Sequence, residues 1–288
     1  YLRLFPSLNA SYNLTENFIG RVSYYESVGR PDFGQYAGGL TLPDIEQPKP
    51  GDKITVSNAP IKAWQARSYV ARLEYYFGTA SQVTAGFFIR DFTNFFADVT
   101  RTVTPEFLAA YGLDEQTYGQ YPVATEVNNP ANVRMTGLEF NYRQALTFLP
   151  SWARGAQFFA NATSQRAKDT DELQDMSPFS ASWGLSVTRA KWNLRISENY
   201  RGQKRTNPVT GTNIEPGTYS YYKKRLFIDV SGEYYLSRRF GLFFSMRNIG
   251  GATEDTKIYG PSTPKYARFR QRDDYGGSLW TAGIKGSF

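Results

Sequence analysis

The sequence predicts an all-β fold of one kind, a transmembrane antiparallel up-and-down β-barrel, and three observations predict it. Apolar residues recur with period two instead of 3.6, the alternating runs are long, and the connections between them are short and long in turn. Successive strand side chains point to opposite faces, so a period of two marks a ribbon with one apolar and one polar side.

About eleven strands follow in order. The runs 2–13 and 17–29 flank a short connection at 14–17, and the runs 65–77 and 81–97 flank one at 78–81. The next pairs are 132–147 with 155–167 across the segment FLPSWAR (148–154), and 178–189 with 191–202 across 189–191. The last three are 219–236, 240–256 and 274–288, the first two joined at 237–239. In 226–236 the apolar face carries Leu226, Ile228, Val230, Gly232, Tyr234 and Leu236, against Phe227, Asp229, Ser231, Glu233 and Tyr235. The final run separates Trp280, Ala282, Ile284, Gly286 and Phe288 from Thr281, Gly283, Lys285 and Ser287 in the same way. Most runs exceed the five or six residues of a globular strand and match tilted strands that cross a bilayer.

The remaining connections, 30–64, 98–131, 168–177, 203–218 and 257–273, are long and rich in Pro, Gly, Asn, Asp and basic residues. Strict short–long alternation is the pattern of a membrane barrel, with tight periplasmic turns and long extracellular loops. A soluble sandwich has no reason to collect every long loop at one end. Mean hydropathy is −0.50, but a strand that puts every second residue into lipid averages to a polar value. No run reaches the eighteen or so apolar residues of a spanning helix, and no signal peptide opens the chain.

The polar faces carry Arg3, Asn9, Arg21, Arg72, Glu74, Arg90, Glu139, Asn141, Arg143, Asn161, Arg195, Asp229, Glu233, Arg247 and Lys285. Such a mixed-sign lining suits a wide, wet or polar-filled lumen. Aromatic residues gather at strand ends (Tyr24/Tyr25, Tyr75/Tyr76, Trp152, Trp192, Tyr234/Tyr235, Trp280), where interfacial girdles sit. Gly137, Gly232 and Gly241 read as relief of crowding within the sheet. The chain has neither Cys nor His, which removes disulfides, thiolate nucleophiles, the usual zinc sites and His-based triads. No catalytic constellation or cofactor motif remains. The net charge of +7 comes from Lys and Arg at alternating strand positions and in loops, not from the single basic face of a nucleic-acid binder.

Strand number is even in bacterial single-chain barrels, so eleven strands are expected to be the later part of a larger barrel, with Phe288 in the periplasm and further strands before Tyr1. Residues 1–288 then form the C-terminal part of one barrel domain. The chain resembles the C-terminal barrel region of TonB-dependent receptors through Ser23–Phe33 (SYYESVGRPDF), Leu73–Phe77 (LEYYF) and Ala85–Phe95 (AGFFIRDFTNF). Further on the resemblance rests on Arg134–Phe140 (RMTGLEF), Arg247–Ile249 (RNI) and Gly283–Phe288 (GIKGSF). It implies a 22-stranded barrel with a plugged lumen, the plug and the TonB-contacting box lying outside this chain. It implies active, TonB-driven uptake of a scarce nutrient such as a ferric siderophore or an oligosaccharide-like ligand. It also implies partnership with outer-membrane lipid, lipopolysaccharide and the barrel-assembly machinery, the last through Trp280, Ile284 and Phe288. A passive porin shares the strand pattern, and a soluble carbohydrate-binding β-module shares part of it.

Two outer loops are basic and aromatic. One carries Arg201, Lys204 and Arg205, leading to Tyr221, Tyr222 and Lys223; the other carries Arg268, Arg270 and Arg272. Three readings fit them: contact with an anionic ligand through Arg forks and field focusing, contact with lipopolysaccharide phosphates, or plain solvation. Tyr and Trp platforms also leave a sugar ligand open. Asp169, Asp171, Glu172 and Asp175 share one loop; they lack the ordered spacing of a calcium loop and read as a solvated charge run.

Overall fold

A computed structural model describes residues 4–48, 52–78, 80–168, 176–209, 213–273 and 277–286, with the backbone alone for Trp152, Asn207 and 269–273. The chain runs through β1 (Ser7–Thr15), β2 (Phe18–Gly29), α1 (Phe33–Ala37), β3 (Leu40–Thr41), β4 (Ile54–Val56), β5 (Trp64–Phe77) and β6 (Ser81–Thr93). It continues with β7 (Phe96–Arg101), α2 (Pro105–Ala110), α3 (Glu115–Tyr118), β8 (Val123–Asn128), β9 (Val133–Ala145), β10 (Ala156–Lys168), β11 (Phe179–Thr188) and β12 (Trp192–Arg201). After these come β13 (Lys204–Pro208), β14 (Tyr219–Tyr222), β15 (Arg225–Tyr235), β16 (Phe240–Arg247), β17 (Glu254–Tyr259), β18 (Phe269–Asp273) and β19 (Leu279–Gly286).

Eleven strands form one antiparallel sheet in the order β1-β2-β5-β6-β9-β10-β11-β12-β15-β16-β19. Neighbours in the sheet are successive along the chain once the loop strands are set aside, which is up-and-down topology. The sheet is open, with β1 and β19 at its edges. Its turns and loops alternate as expected, and Tyr200, Leu226, Ile196 and Val230 share one face while Arg195, Ser197, Asn199 and Asp229 share the other.

The apolar side is widely exposed, from Leu8 and Tyr12 through Leu73, Phe87 and Leu138 to Trp280 and Ile284. That is the required outcome for a surface whose solvent is hydrocarbon. On the polar side charges pair across strands: Arg21 with Glu74 at 3.1 Å, Arg72 with Glu139 at 3.5 Å and Lys285 with Glu233 at 2.6 Å. Each tyrosine doublet straddles the wall. Tyr24, Tyr75 and Tyr234 face outward with the lipid-side set, whereas Tyr76 and Tyr235 turn inward and donate to Glu74 and Glu233 at 2.8 and 2.7 Å.

Glycine fills the positions opposite large rings. A Cβ on Gly137 would lie 2.4 Å from the ring of its cross-strand partner Phe88, and one on Gly232 would lie 2.7 Å from Phe244. These rings lie across the glycines, replacing the missing side-chain packing.

Several strand limits differ from expectation. The first strand begins at Ser7, not at residue 2: Pro6 accepts a hydrogen bond from Glu26 N at 3.1 Å but has no N–H to continue the ladder. The run 81–97 stops at Thr93 because Asn94 sits at φ 55°, a left-handed turn that Asn tolerates. The run 219–236 is two strands separated by Lys223 and Lys224, and 240–256 breaks after Arg247. Asn248, at φ 52°, turns the chain there. Its amide group donates to Ala252 O at 2.9 Å and Gly277 O at 3.1 Å, and its backbone N–H donates to Asp229 at 2.8 Å.

The long loops are themselves folded. Loops 30–63 and 94–132 build a second sheet, β3-β4-β8-β7, in which β4 and β8 pair in parallel. Ile54, Leu108, Tyr121 and Val123 form its core. At the mouth of the wall, Ala66, Phe88, Phe92, Val133 and Met135 make a second apolar cluster, backed by Trp64, Phe95 and Met176. The acidic segment 169–175 lies outside the described residues.

Candidate functional site

The basic-aromatic segments meet in a third sheet, β13-β14-β17-β18. Its order repeats that of β12, β15, β16 and β19, so it prolongs the wall beyond the membrane-spanning strands. Short offsets at Gly202–Gln203 and Lys223–Lys224 separate the two levels. Alternation within Tyr219-Ser-Tyr-Tyr222 then decides which residues meet. Tyr219 and Tyr221 share a face with Lys257 and Tyr259, while Ser220 and Tyr222 share the other with Thr256 and Ile258.

Tyr222 looks into the lumen. Arg201, which lies on the polar side of β12 beside Ser180 and Arg225, places its guanidinium 5.3 Å from the Tyr222 ring, and Lys204 Nζ is 4.8 Å from it. Glu254 ties this cluster together, pairing with Arg201 and, at 2.9 Å, with Arg225. All three side chains are largely buried, which strengthens a charge-assisted contact relative to one in water. Arg201 Nε is buried and has no acceptor among the described residues.

Tyr221 belongs to the opposite, outward face. Its ring stacks on Tyr259 at 4.0 Å and 9°, and Arg268 lies over the other side of Tyr259 at 3.9 Å. Arg205 covers Tyr219 at 4.3 Å. Lys223 pairs with Asp255 at 3.0 Å. Burial raises the pKa of the Tyr221 phenol above its ordinary value.

The predicted rim therefore separates into two sets. Arg201, Lys204 and Tyr222 are brought together on the lumenal side; Arg205, Tyr221, Lys223 and Arg268 are brought together outside. The register places Arg270 opposite Lys257 and Arg272 opposite Asp255; their side chains lie outside the described residues. Glu254 and Asp255, which organise the two sets, are missing from the sequence reading because 240–256 was expected to be one uninterrupted strand. The signal that finds them is Asn248, a residue suited to a left-handed break six residues upstream of Glu254. In the proposed assembly signal, Trp280 and Ile284 face outward with Met246 and Leu242; Phe288 lies outside the described residues.

The family model described as TonB dependent receptor-like, beta-barrel, matches residues 1–249. Among solved structures, a mutant of the ferric enterobactin receptor PfeA of Pseudomonas aeruginosa in complex with enterobactin superposes with a TM-score of 0.64 at 16% identity. That match covers 99% of this chain and 40% of the receptor. The siderophore receptor PirA of Pseudomonas aeruginosa gives 0.59 at 14% identity over 99% and 42%. The unliganded ferric citrate transporter FecA gives 0.59 at 15% over 98% and 38%. The chain thus spans about two fifths of the length of these structures, and at such identities the likeness is one of fold. No curated protein matches the sequence.

Proposed function

Because the chain belongs to the family of TonB-dependent receptor β-barrels of the outer membrane, we propose that it supplies the later wall and part of the extracellular ligand platform of a receptor for active uptake of a scarce anionic nutrient, with ferric siderophores the leading class. The observation that carries the ligand class is the lumenal cluster of Arg201, Lys204 and Tyr222 around Glu254. Two cations held against one aromatic ring suit the carboxylate or phenolate oxygens of a ferric chelate. The role is binding and passage, with no covalent step. Residues 1–288 serve as the C-terminal part of one barrel domain, and the open edges at β1 and β19 pair with strands from the rest of the receptor. Energy coupling through TonB then belongs to a plug outside this segment.

Equilibrium binding of ferric catecholate and ferric citrate chelates to the whole receptor tests this reading. The R201A/K204A double variant, verified as assembled by heat-modifiable migration, is expected to bind the receptor's preferred chelate at least ten-fold more weakly. That corresponds to about 1.4 kcal/mol. Unchanged affinity removes the lumenal cluster from the ligand site.

A further inference from the structure

A second cationic site lies on the lumenal side of β9, β10, β11 and β12, near the periplasmic turns. A cavity of about 470 Å³ opens there among Arg143, Arg154, Gln157, Ser186 and Thr188. We propose that this site is a lower anion-binding station, which takes the carboxylate or phenolate oxygens of the chelate after they leave the upper cluster. The inference rests on the reading of the nutrient as anionic and adds a second site to it.

Register assembles the station. Arg143 is paired with Phe159, Phe159 with Gly184 and Gly184 with Ser197, while Ser186 is paired with Gln157 and Arg195. Gly184 has no side chain, so the Phe159 ring lies across it; a Cβ there would stand 2.7 Å from the ring. The Arg195 guanidinium lies over that ring at 4.3 Å. Stacking uses the flat face of a guanidinium and leaves its in-plane N–H donors free to fork a carboxylate. The upper cluster uses the same device, with Arg201 and Lys204 against Tyr222.

Charge marks the station out. The lumenal carboxylates are engaged within the protein: Glu74 by Arg21, Glu139 by Arg72, Glu233 by Lys285, and Glu254 by Arg201 and Arg225. Asp229 accepts from Asn248 N at 2.8 Å and Asn199 Nδ2 at 3.3 Å. Arg143, Arg154 and Arg195 are exposed, and among the described residues no carboxylate pairs with them. The Gln157 amide and the Ser186 and Thr188 hydroxyls add neutral donors beside these cations.

A route joins the two sites. The lumenal face of β11 is Ser180, Ser182, Gly184, Ser186 and Thr188, set against Arg201, Asn199, Ser197, Arg195 and Asn193 of β12. No β11 side chain on that face is larger than threonine, so a shallow hydroxyl-lined trough descends from Arg201 to Arg195. The two arginines are six residues apart on one strand, about 20 Å at strand rise. A seat for an acidic side chain of the plug needs the cations alone; the trough leading to them fits a ligand in transit.

The test uses the whole receptor in cells, with labelled ferric citrate and a labelled ferric catecholate as probes. R143Q/R195Q, which keeps bulk and polarity, and R143A/R195A are compared with the parent after heat-modifiable migration has verified assembly. Equilibrium binding in energy-depleted cells is expected to stay within two-fold of the parent, while TonB-dependent uptake at saturating chelate slows at least five-fold. Unchanged uptake in R143Q/R195Q overturns the proposal, whether or not R143A/R195A assembles. A loss of equilibrium binding as large as the loss of uptake overturns it too, since the cations would then belong to the upper site. Entry of vancomycin into cells carrying R143Q/R195Q also overturns it, because the arginines would then seat the plug. A parent receptor that takes up neither chelate sinks the anionic reading itself.

Discussion

Glu254 shows how much one side chain can organise. It receives Arg201 from the end of β12 and Arg225 from the start of β15, so it balances two guanidiniums that the register sets side by side. In the E254Q variant both cations keep their burial and lose their counter-charge. The expected cost is about 2 kcal/mol of local stability, read as faster amide exchange across β13, β14 and β17 while the spanning strands stay protected. A second residue gives a pH signature in the extracellular sheet. Asp114 caps α3 by accepting from Thr117 Oγ1 at 2.7 Å and Thr117 N at 2.8 Å, and these bonds hold its carboxyl below the usual range. A depressed folded-state pKa adds stability that is fully present above the unfolded value, about 4, and is lost as pH falls through the lower folded value. The Thr117 amide is therefore expected to keep its protection from neutral pH down to about pH 4 and to lose it below that in the parent, and to show little such pH dependence in D114N. Gly137 makes the third case: G137A forces a methyl group against the Phe88 ring and Ser164 O. A destabilisation of about 1–3 kcal/mol follows from overpacking, seen as a lower temperature of heat-modifiable unfolding.

Strands obey their solvent more than their composition. In β19, Ile284 faces lipid and is 73% exposed, whereas Thr281 faces the lumen opposite Ser245. I284K is expected to cost about 2–4 kcal/mol if the site lies near the bilayer midplane and to lower the yield of assembled barrel; T281K, three residues away, is expected to assemble normally. Equal yields would remove the in–out assignment of the last strand. That assignment was legible in the sequence because lipid and lumen impose opposite demands on alternate residues. The two upper sheets were not legible. β3, β4 and β14 span only two to four residues, too few for a period to declare itself. The parallel β4–β8 pairing joins segments roughly seventy residues apart, a contact that no local pattern encodes. The same limit hid the division of the basic rim. Arg201 and Arg205 look like one patch in the sequence, yet the offset at Gly202–Gln203 and the alternation of β14 send their aromatic partners, Tyr222 and Tyr219, to opposite faces.

The whole molecule is a wall with three surroundings: hydrocarbon on its apolar face, a polar lumen on the other, and headgroups and medium around its upper sheets. Its topology and its family place it in an outer-membrane receptor barrel, and its lumenal charges fit a large polar-filled interior better than a narrow sealed one. A porin wall would carry the same alternation, so the distinction rests on energy coupling. Accumulation of a labelled ferric chelate by cells expressing the whole receptor, with and without functional TonB, tests it most directly. Saturable uptake that requires TonB and falls at least ten-fold in R201A/K204A at sub-saturating chelate is the expected result; uptake that persists without TonB and rises linearly with concentration would rule out energy-coupled transport.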